Sequence, residues 1–141
     1  MNRQQQIIKT YLKIAKTISE LSRCNKAKVG AVIVNDNNIV AYGYNGTPSG
    51  YCNTCEDENN KTFKEVIHAE TNAILKAGRL TVGADLYLTL SPCIDCCKLI
   101  KQSGIKHVYF LTAYKDLSGL EKFKIPYTKI HANIKTKNPD Y

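Results

Sequence analysis

Two short motifs hold the residues best suited to chemistry: His68-Ala69-Glu70 and Pro92-Cys93-Ile94-Asp95-Cys96. One imidazole and two thiolates are a three-ligand set for Zn²⁺ that leaves the fourth tetrahedral position open. Water in that position is acidified until hydroxide is available near neutral pH. Glu70 follows His68 by two residues, is not needed as a ligand, and is free to move protons. Together these parts suit the hydrolytic loss of an amino group from a ring carbon. Hydroxide attacks the carbon, and the carboxylate passes protons to the ring nitrogen and the leaving amine.

The spacing has structural consequences. Cysteines at i and i+3 in the first turn of a helix point to one side. A helix N-terminus carries positive partial charge and favours their thiolate form. Cys97, at i+4, is a rival ligand, but the C-x-x-C spacing favours Cys96, and Cys97 reads as a small buried residue. His68 and Glu70 fall at the start of a second helix. In a sheet-based fold two such helix starts can meet beyond the strand ends, where ligands usually bind. Taken singly, each of these residues also fits a plain structural role.

The elements that must position them follow from periodicity. Ile7, Tyr11, Ile14, Ile18 and Leu21, with Ile8, Leu12 and Ala15 beside them, predict an amphipathic helix over about 3–22. Lys28 to Val34 reads as a buried strand, Asn35 to Asn38 as a turn, and Ile39 to Tyr44 as the return strand of a hairpin. A loop runs from Asn45 to about Thr62. A helix is expected from Glu65–His68 to about Gly78, where glycine stops it. A strand follows over Asp85–Leu90. Ser91-Pro92 then looks like a capped helix entry, with the helix over Cys93–Gln102. A strand over Ile105–Leu111, a short helix over Asp116–Phe123 and a strand over Tyr127–His131 complete the order. Alternating strands and helices predict an α/β class with a mixed sheet covered by helices. Residues 1–131 read as a single domain and 132–141 as a C-terminal tail.

Composition narrows the setting. The length of 141 residues suits one hydrophobic core. No apolar run approaches the ~20 residues needed to span a membrane. The polar start Met1-Asn2-Arg3-Gln4 lacks the apolar core of a signal peptide, so a cytoplasmic location is expected. In a reducing compartment six cysteines point to metal binding before disulfides. Cys52-Asn53-Thr54-Cys55 is a second C-x-x-C, and with Cys24 it could hold a second, structural zinc. Reduced thiols in a loop are the preferred reading, because no histidine is placed to complete a tetrahedron. The formal net charge of +8 would attract nucleic acid or an anionic small molecule. The basic residues are spread from Lys9 to Lys137 and form no run, which weakens the nucleic-acid reading.

From about Ser22 to Tyr114 the chain resembles the zinc-dependent cytidine and deoxycytidylate deaminase superfamily, and within it the deoxycytidylate (dCMP) deaminases. The resemblance is carried by Lys28-Val-Gly-Ala-Val-Ile-Val34, Gly43-Tyr-Asn-Gly-Thr-Pro-Ser-Gly50, Ile67-His-Ala-Glu-Thr-Asn-Ala-Ile74, Tyr87-Leu-Thr-Leu-Ser-Pro-Cys-Ile-Asp-Cys96 and Lys98-Leu-Ile-Lys-Gln-Ser-Gly-Ile105. The H-x-E…P-C-x-x-C signature belongs to zinc deaminases at large. The Gly-Tyr-Asn-Gly-Thr-Pro segment and the stretch after Cys96 point to dCMP.

The resemblance implies a three-layer α/β/α cytidine-deaminase-like fold with a five-stranded mixed sheet flanked by helices. It implies one catalytic Zn²⁺ on His68, Cys93 and Cys96, with Glu70 as the proton shuttle in conversion of dCMP to dUMP and ammonia. The backbone at Ala69 would meet the pyrimidine, the Ser91 carbonyl would accept from the amino group, and Asn45 would hold the deoxyribose. Lys26 and Lys115 are candidates for the 5′-phosphate, with solvated surface charges as the rival reading, and Tyr114 would close over the pocket. A homohexamer activated by dCTP and inhibited by dTTP is also implied, with Asn45, Gly46 and Gly50 near the controlling region. The loop between Gly50 and His68 is short beside relatives with a zinc-binding insertion, and so is the region after Tyr114. Three alternatives remain open: an enzyme that also accepts dCTP, a deaminase acting on a base in tRNA or single strands, and a non-catalytic protein, either a purely structural zinc module or a regulatory nucleotide binder.

Overall fold

The computed structural model describes residues 1–114 and 117–131. Lys115, Asp116 and the expected tail at 132–141 lie outside the described residues. The elements are α1 (Arg3–Ser19), β1 (Gly30–Asn35), β2 (Asn38–Tyr44), α2 (Ala69–Ala77), β3 (Asp85–Leu90), α3 (Ile94–Ser103), β4 (His107–Thr112), α4 (Ser118–Lys122) and β5 (Tyr127–Lys129). A 3-10 turn over Gly78–Thr81 follows α2.

The sheet order is β2-β1-β3-β4-β5. β1 is antiparallel to both β2 and β3, whereas β3, β4 and β5 run parallel. The expected five-stranded mixed sheet flanked by helices is the observed one. Strict alternation along β1 sorts its residues onto two faces. Ala31 and Ile33 pack with Leu86, Leu88, Val108 and Phe110 beneath α2, α3 and α4. Val32 and Val34 pack with Tyr87 beneath α1.

Local chemistry explains the element ends. Asn2 and Gln5 form a reciprocal capping box at the start of α1, at 2.9 and 3.1 Å. Its buried stripe is Ile8, Leu12, Ala15 and Ser19. Ile7, Tyr11, Ile14 and Ile18 flank that stripe half-buried. The helix stops at Ser19, a turn before the expected end, and leaves Leu21 54% exposed. At the hairpin Asp36 and Asn37 both take positive φ, 51° and 61°, as a tight two-residue connection requires.

Two glycines allow close layering. A Cβ at Gly30 would run into the Ala15 carbonyl oxygen, so α1 can lie on β1 only because that atom is missing. A Cβ at Gly43 would run into the Ala69 carbonyl and stand 2.6 Å from the Ala73 nitrogen, so β2 receives α2 in the same way. That second contact sets the height of α2, which carries the site. Among the described residues, no helix is long and apolar enough to cross a membrane.

Candidate active site and metal centre

The site lies at the C-terminal end of β3, where α2 and α3 begin. His68 and Cys93 occupy equivalent places: each is the extended residue at the N-cap of its helix. The His68 carbonyl accepts the Asn72 N–H at 3.0 Å, and the Cys93 carbonyl accepts the Cys97 N–H at 2.9 Å. The segment before α2 is pinned by the paired Gly46 and Ile67 backbones, at 3.1 and 2.8 Å. The Asn72 side chain donates to the Tyr44 carbonyl at 2.9 Å and holds the helix on β2. Ser91 was expected to cap α3 but lies outside the capping position. Its hydroxyl accepts the Tyr114 N–H at 2.7 Å instead.

The donor atoms of His68, Cys93 and Cys96 all lie within 4.8 Å of one another. His68 Nδ1 is 3.2 Å from Cys96 Sγ and 3.6 Å from Cys93 Sγ. A tetrahedral zinc with ordinary Zn–S and Zn–N lengths sets an N···S separation of about 3.6 Å. The donor set therefore fits a zinc ion. Thr71 adds a hydroxyl 3.6 Å from Cys96 Sγ. It stands one turn after His68 on the same helix face, a signal readable from the spacing but missed. Cys97 turns away, is fully buried and faces the Pro92 carbonyl.

The electrostatics divide the groups by role. Cys96 and His68 hydrogen bonds hold the Cys93 thiol down at about 4. The hydrogen bond with Cys93, together with burial, pushes the Cys96 thiol up. Burial pushes the Glu70 carboxyl up to about 7, against the downward pull of its own backbone N–H, of His68 and of Cys96. Glu70 is only 4% exposed. A carboxyl poised near neutrality can both take and give a proton.

His68, Glu70 and Cys93 line a pocket of about 270 Å³, with Lys26, Asn45, Ser91 and Tyr114 on its walls. Ala69 lines it as well, fully buried. Asn45 braces a wall: its Oδ1 accepts the Val29 N–H and its Nδ2 donates to the Ala27 carbonyl, each at 2.8 Å. One amide hydrogen and one lone pair are left over for a ligand. Gly50, with φ of 82°, is exposed, and neither it nor Gly46 lines the pocket.

The cysteine-rich loop differs from expectation. Cys24 and Cys55 are joined in a disulfide, and Cys52 is exposed beside the Thr54 hydroxyl. Cys52 therefore does not join Cys24 and Cys55. The cause is a small turn in which Glu56 pairs with Thr62 and the Cys55 carbonyl accepts the Phe63 N–H at 2.8 Å. It folds over the segment after α1, where the Glu56 carboxylate accepts the Asn25 and Lys26 N–H groups, both at 3.0 Å. This buries the sulfurs of Cys24 and Cys55 against each other while residues 51–54 stay outside. Glu56 also stands close to those two sulfurs and lines the pocket. No motif or spacing pointed to it.

The sequence model of the cytidine and deoxycytidylate deaminase zinc-binding region matches residues 2–112. The deoxycytidylate deaminase of Saccharomyces cerevisiae is 37% identical over 126 residues, covering 82% of this chain and 40% of that protein. The chain thus spans less than half the length of this yeast relative. The deoxycytidylate deaminase of Enterobacteria phage T4 is 33% identical, covering 83% of this chain and 89% of that one. Among solved structures, the dCMP deaminase of cyanophage S-TIM5, in complex with dCMP and dUMP, superposes with a TM-score of 0.84. It is 37% identical and covers 92% of this chain and 99% of its own. With the match running through both motifs that converge at the pocket, the chain belongs to the cytidine and deoxycytidylate deaminase zinc-binding family.

Proposed function

We propose that the protein deaminates dCMP hydrolytically, giving dUMP and ammonia. The observation that carries the chemistry is the buried Glu70 carboxyl, near 7, next to the three-donor set of His68, Cys93 and Cys96. Likeness to a phage dCMP deaminase with dCMP and dUMP bound supports the substrate. A zinc ion on the three donors supplies Lewis acidity and acidifies the attacking water.

The chain's own residues do the rest. Glu70 takes a proton from the attacking water and delivers it to N3 of the cytosine ring. It then takes the second proton from that oxygen, now bonded to C4, and passes it to the amine as the C4–N bond breaks, leaving the C4 carbonyl and ammonia. The Ser91 carbonyl accepts from the amino group and orients it. The Ala69 backbone lies along the pyrimidine. Asn45 offers its remaining amide hydrogen and lone pair to the deoxyribose. The 5′-phosphate is met by a basic side chain, Lys26 or Lys115, with Tyr114 over the opening.

The reading extends to a cytoplasmic role supplying dUMP for thymidylate synthesis. It also extends to a homohexamer that dCTP activates and dTTP inhibits through the loop of Asn45, Gly46 and Gly50. The supply of dUMP, the hexamer and the control by triphosphates rest on the family resemblance.

The test is ammonia release from the zinc-loaded protein with dCMP, dCTP, deoxycytidine and CMP, each with and without added dCTP or dTTP. Preference for dCMP supports the reading, and a response to the triphosphates supports the control. Equal turnover of dCTP would replace it with a dual dCMP/dCTP activity. Turnover of none of them would overturn it.

A further inference from the structure

Ser91 stands between the last strand residue of β3 and Pro92, three residues before α3 begins. A serine in this place invites a capping role, but Cys93 is the residue at the helix N-cap and no side chain caps it. The Ser91 hydroxyl is committed elsewhere. It is 4% exposed, and it accepts the backbone N–H of Tyr114 at 2.7 Å. The Ser91 backbone N–H donates to the Thr112 carbonyl at 2.8 Å. Two hydrogen bonds therefore tie the Ser-Pro-Cys turn to the exit of β4. Pro92 stiffens the turn, because proline restricts the backbone of the residue before it. Ser91 and Tyr114 both line the pocket, Ser91 on the buried side and Tyr114, 41% exposed, towards solvent.

We infer that Ser91 is a positioning residue: its hydroxyl sets Tyr114 over the pocket and ties the pocket's opening to the turn that leads into the metal helix. Without this bond the Ser-Pro-Cys turn loses its hold on the Tyr114 amide, and Tyr114 shifts relative to the opening. The carbonyl of Ser91 is untouched by loss of the hydroxyl, and the three metal donors keep their places. The effect belongs to substrate retention and not to the proton transfer. This inference rests on the reading of the pocket as a nucleotide site.

The experiment compares the zinc-loaded wild type with Ser91→Ala, Ser91→Thr, Tyr114→Ala and the double variant Ser91→Ala/Tyr114→Ala. Steady-state kinetics on dCMP are paired with the hydrogen-exchange rate of the Tyr114 amide by NMR, which needs no turnover. Zinc content and Tm confirm that each variant is folded and loaded. In Ser91→Ala the Tyr114 amide exchanges faster, and KM rises about three- to tenfold, as loss of one buried hydrogen bond allows. Turnover falls less than KM rises. Ser91→Thr restores both readouts, and in the Tyr114→Ala background the loss of the hydroxyl adds little further change in KM. Unchanged Tyr114 exchange in Ser91→Ala, or KM effects that simply multiply in the double variant, would overturn the inference. If the wild type released no ammonia from dCMP, the nucleotide reading would fail by itself, and the exchange rates would still decide whether Ser91 holds Tyr114.

Discussion

His68 Nδ1 and Cys96 Sγ, 28 residues apart in sequence, stand 3.2 Å from each other across the starts of two helices. This contact turns two local motifs into one site. Both helix N-termini aim their positive partial charge at the same point, which favours thiolate and the developing negative charge of a deprotonated water.

Glu70 is buried beside that contact and hydrogen-bonded to Cys96, so its removal should separate chemistry from metal binding. Glu70→Gln keeps the shape of the side chain but cannot accept a proton. Turnover of dCMP is expected to fall about 10²- to 10⁴-fold. Zinc content, measured by atomic emission, should equal that of the wild type. Retained turnover would remove Glu70 from the proton pathway.

Cys96 and Cys97 are neighbours with opposite fates. Cys96 Sγ meets the His68 ring, whereas burial pushes the Cys97 thiol up to about 12 and, among the described residues, Cys97 belongs to no cluster of metal donors. Cys96→Ser should lose zinc and turnover together, and its Tm should no longer fall on treatment with a chelator. Cys97→Ser should keep one zinc per chain and most of the activity. Zinc quantification and thermal unfolding with and without chelator distinguish the two.

What the sequence made legible, and what it did not, follows from how far each interaction reaches. Metal chemistry restricts residue type within a few positions, so the set of His68, Glu70, Cys93 and Cys96 stood out as a unit. Strand and helix periods were equally local, and the five strands and their helices lie near their expected places. Ser91 misled because a serine before proline fits a helix entry, while its real partner, Tyr114, is 23 residues away. The Cys24–Cys55 link and the Glu56 clamp on Asn25 and Lys26 depend on one loop folding over another. No periodicity announces such a fold. The early end of α1 was hidden too, because Leu21 extends the apolar pattern past the last buried turn.

His107 gives the fold a pH dependence. Burial holds its imidazole below the ordinary value, with Lys106 adding to the depression and Asp85 opposing it. Its Nε2 is 2.8 Å from the Thr128 hydroxyl, and its ring stacks on Tyr109. The unfolded chain takes up the proton first as pH falls through about 6.5. Stability from this group is thus complete above that pH and is lost progressively as pH falls towards the folded-state value. Asp85, raised by burial, acts with the opposite sign but is present in both proteins compared. Denaturant unfolding from pH 8 to pH 5 should show His107→Gln losing less stability on acidification than the wild type. Parallel curves would assign the acid sensitivity elsewhere.

The most direct test of hydrolytic deamination is to incubate the zinc-loaded protein with dCMP in oxygen-18 water and follow the nucleotide by mass spectrometry. The account predicts dUMP carrying one oxygen-18 in the base, formed in step with one ammonia per nucleotide, and almost none of it from Glu70→Gln. Unchanged dCMP in the presence of bound zinc, or dUMP without the label, would contradict it.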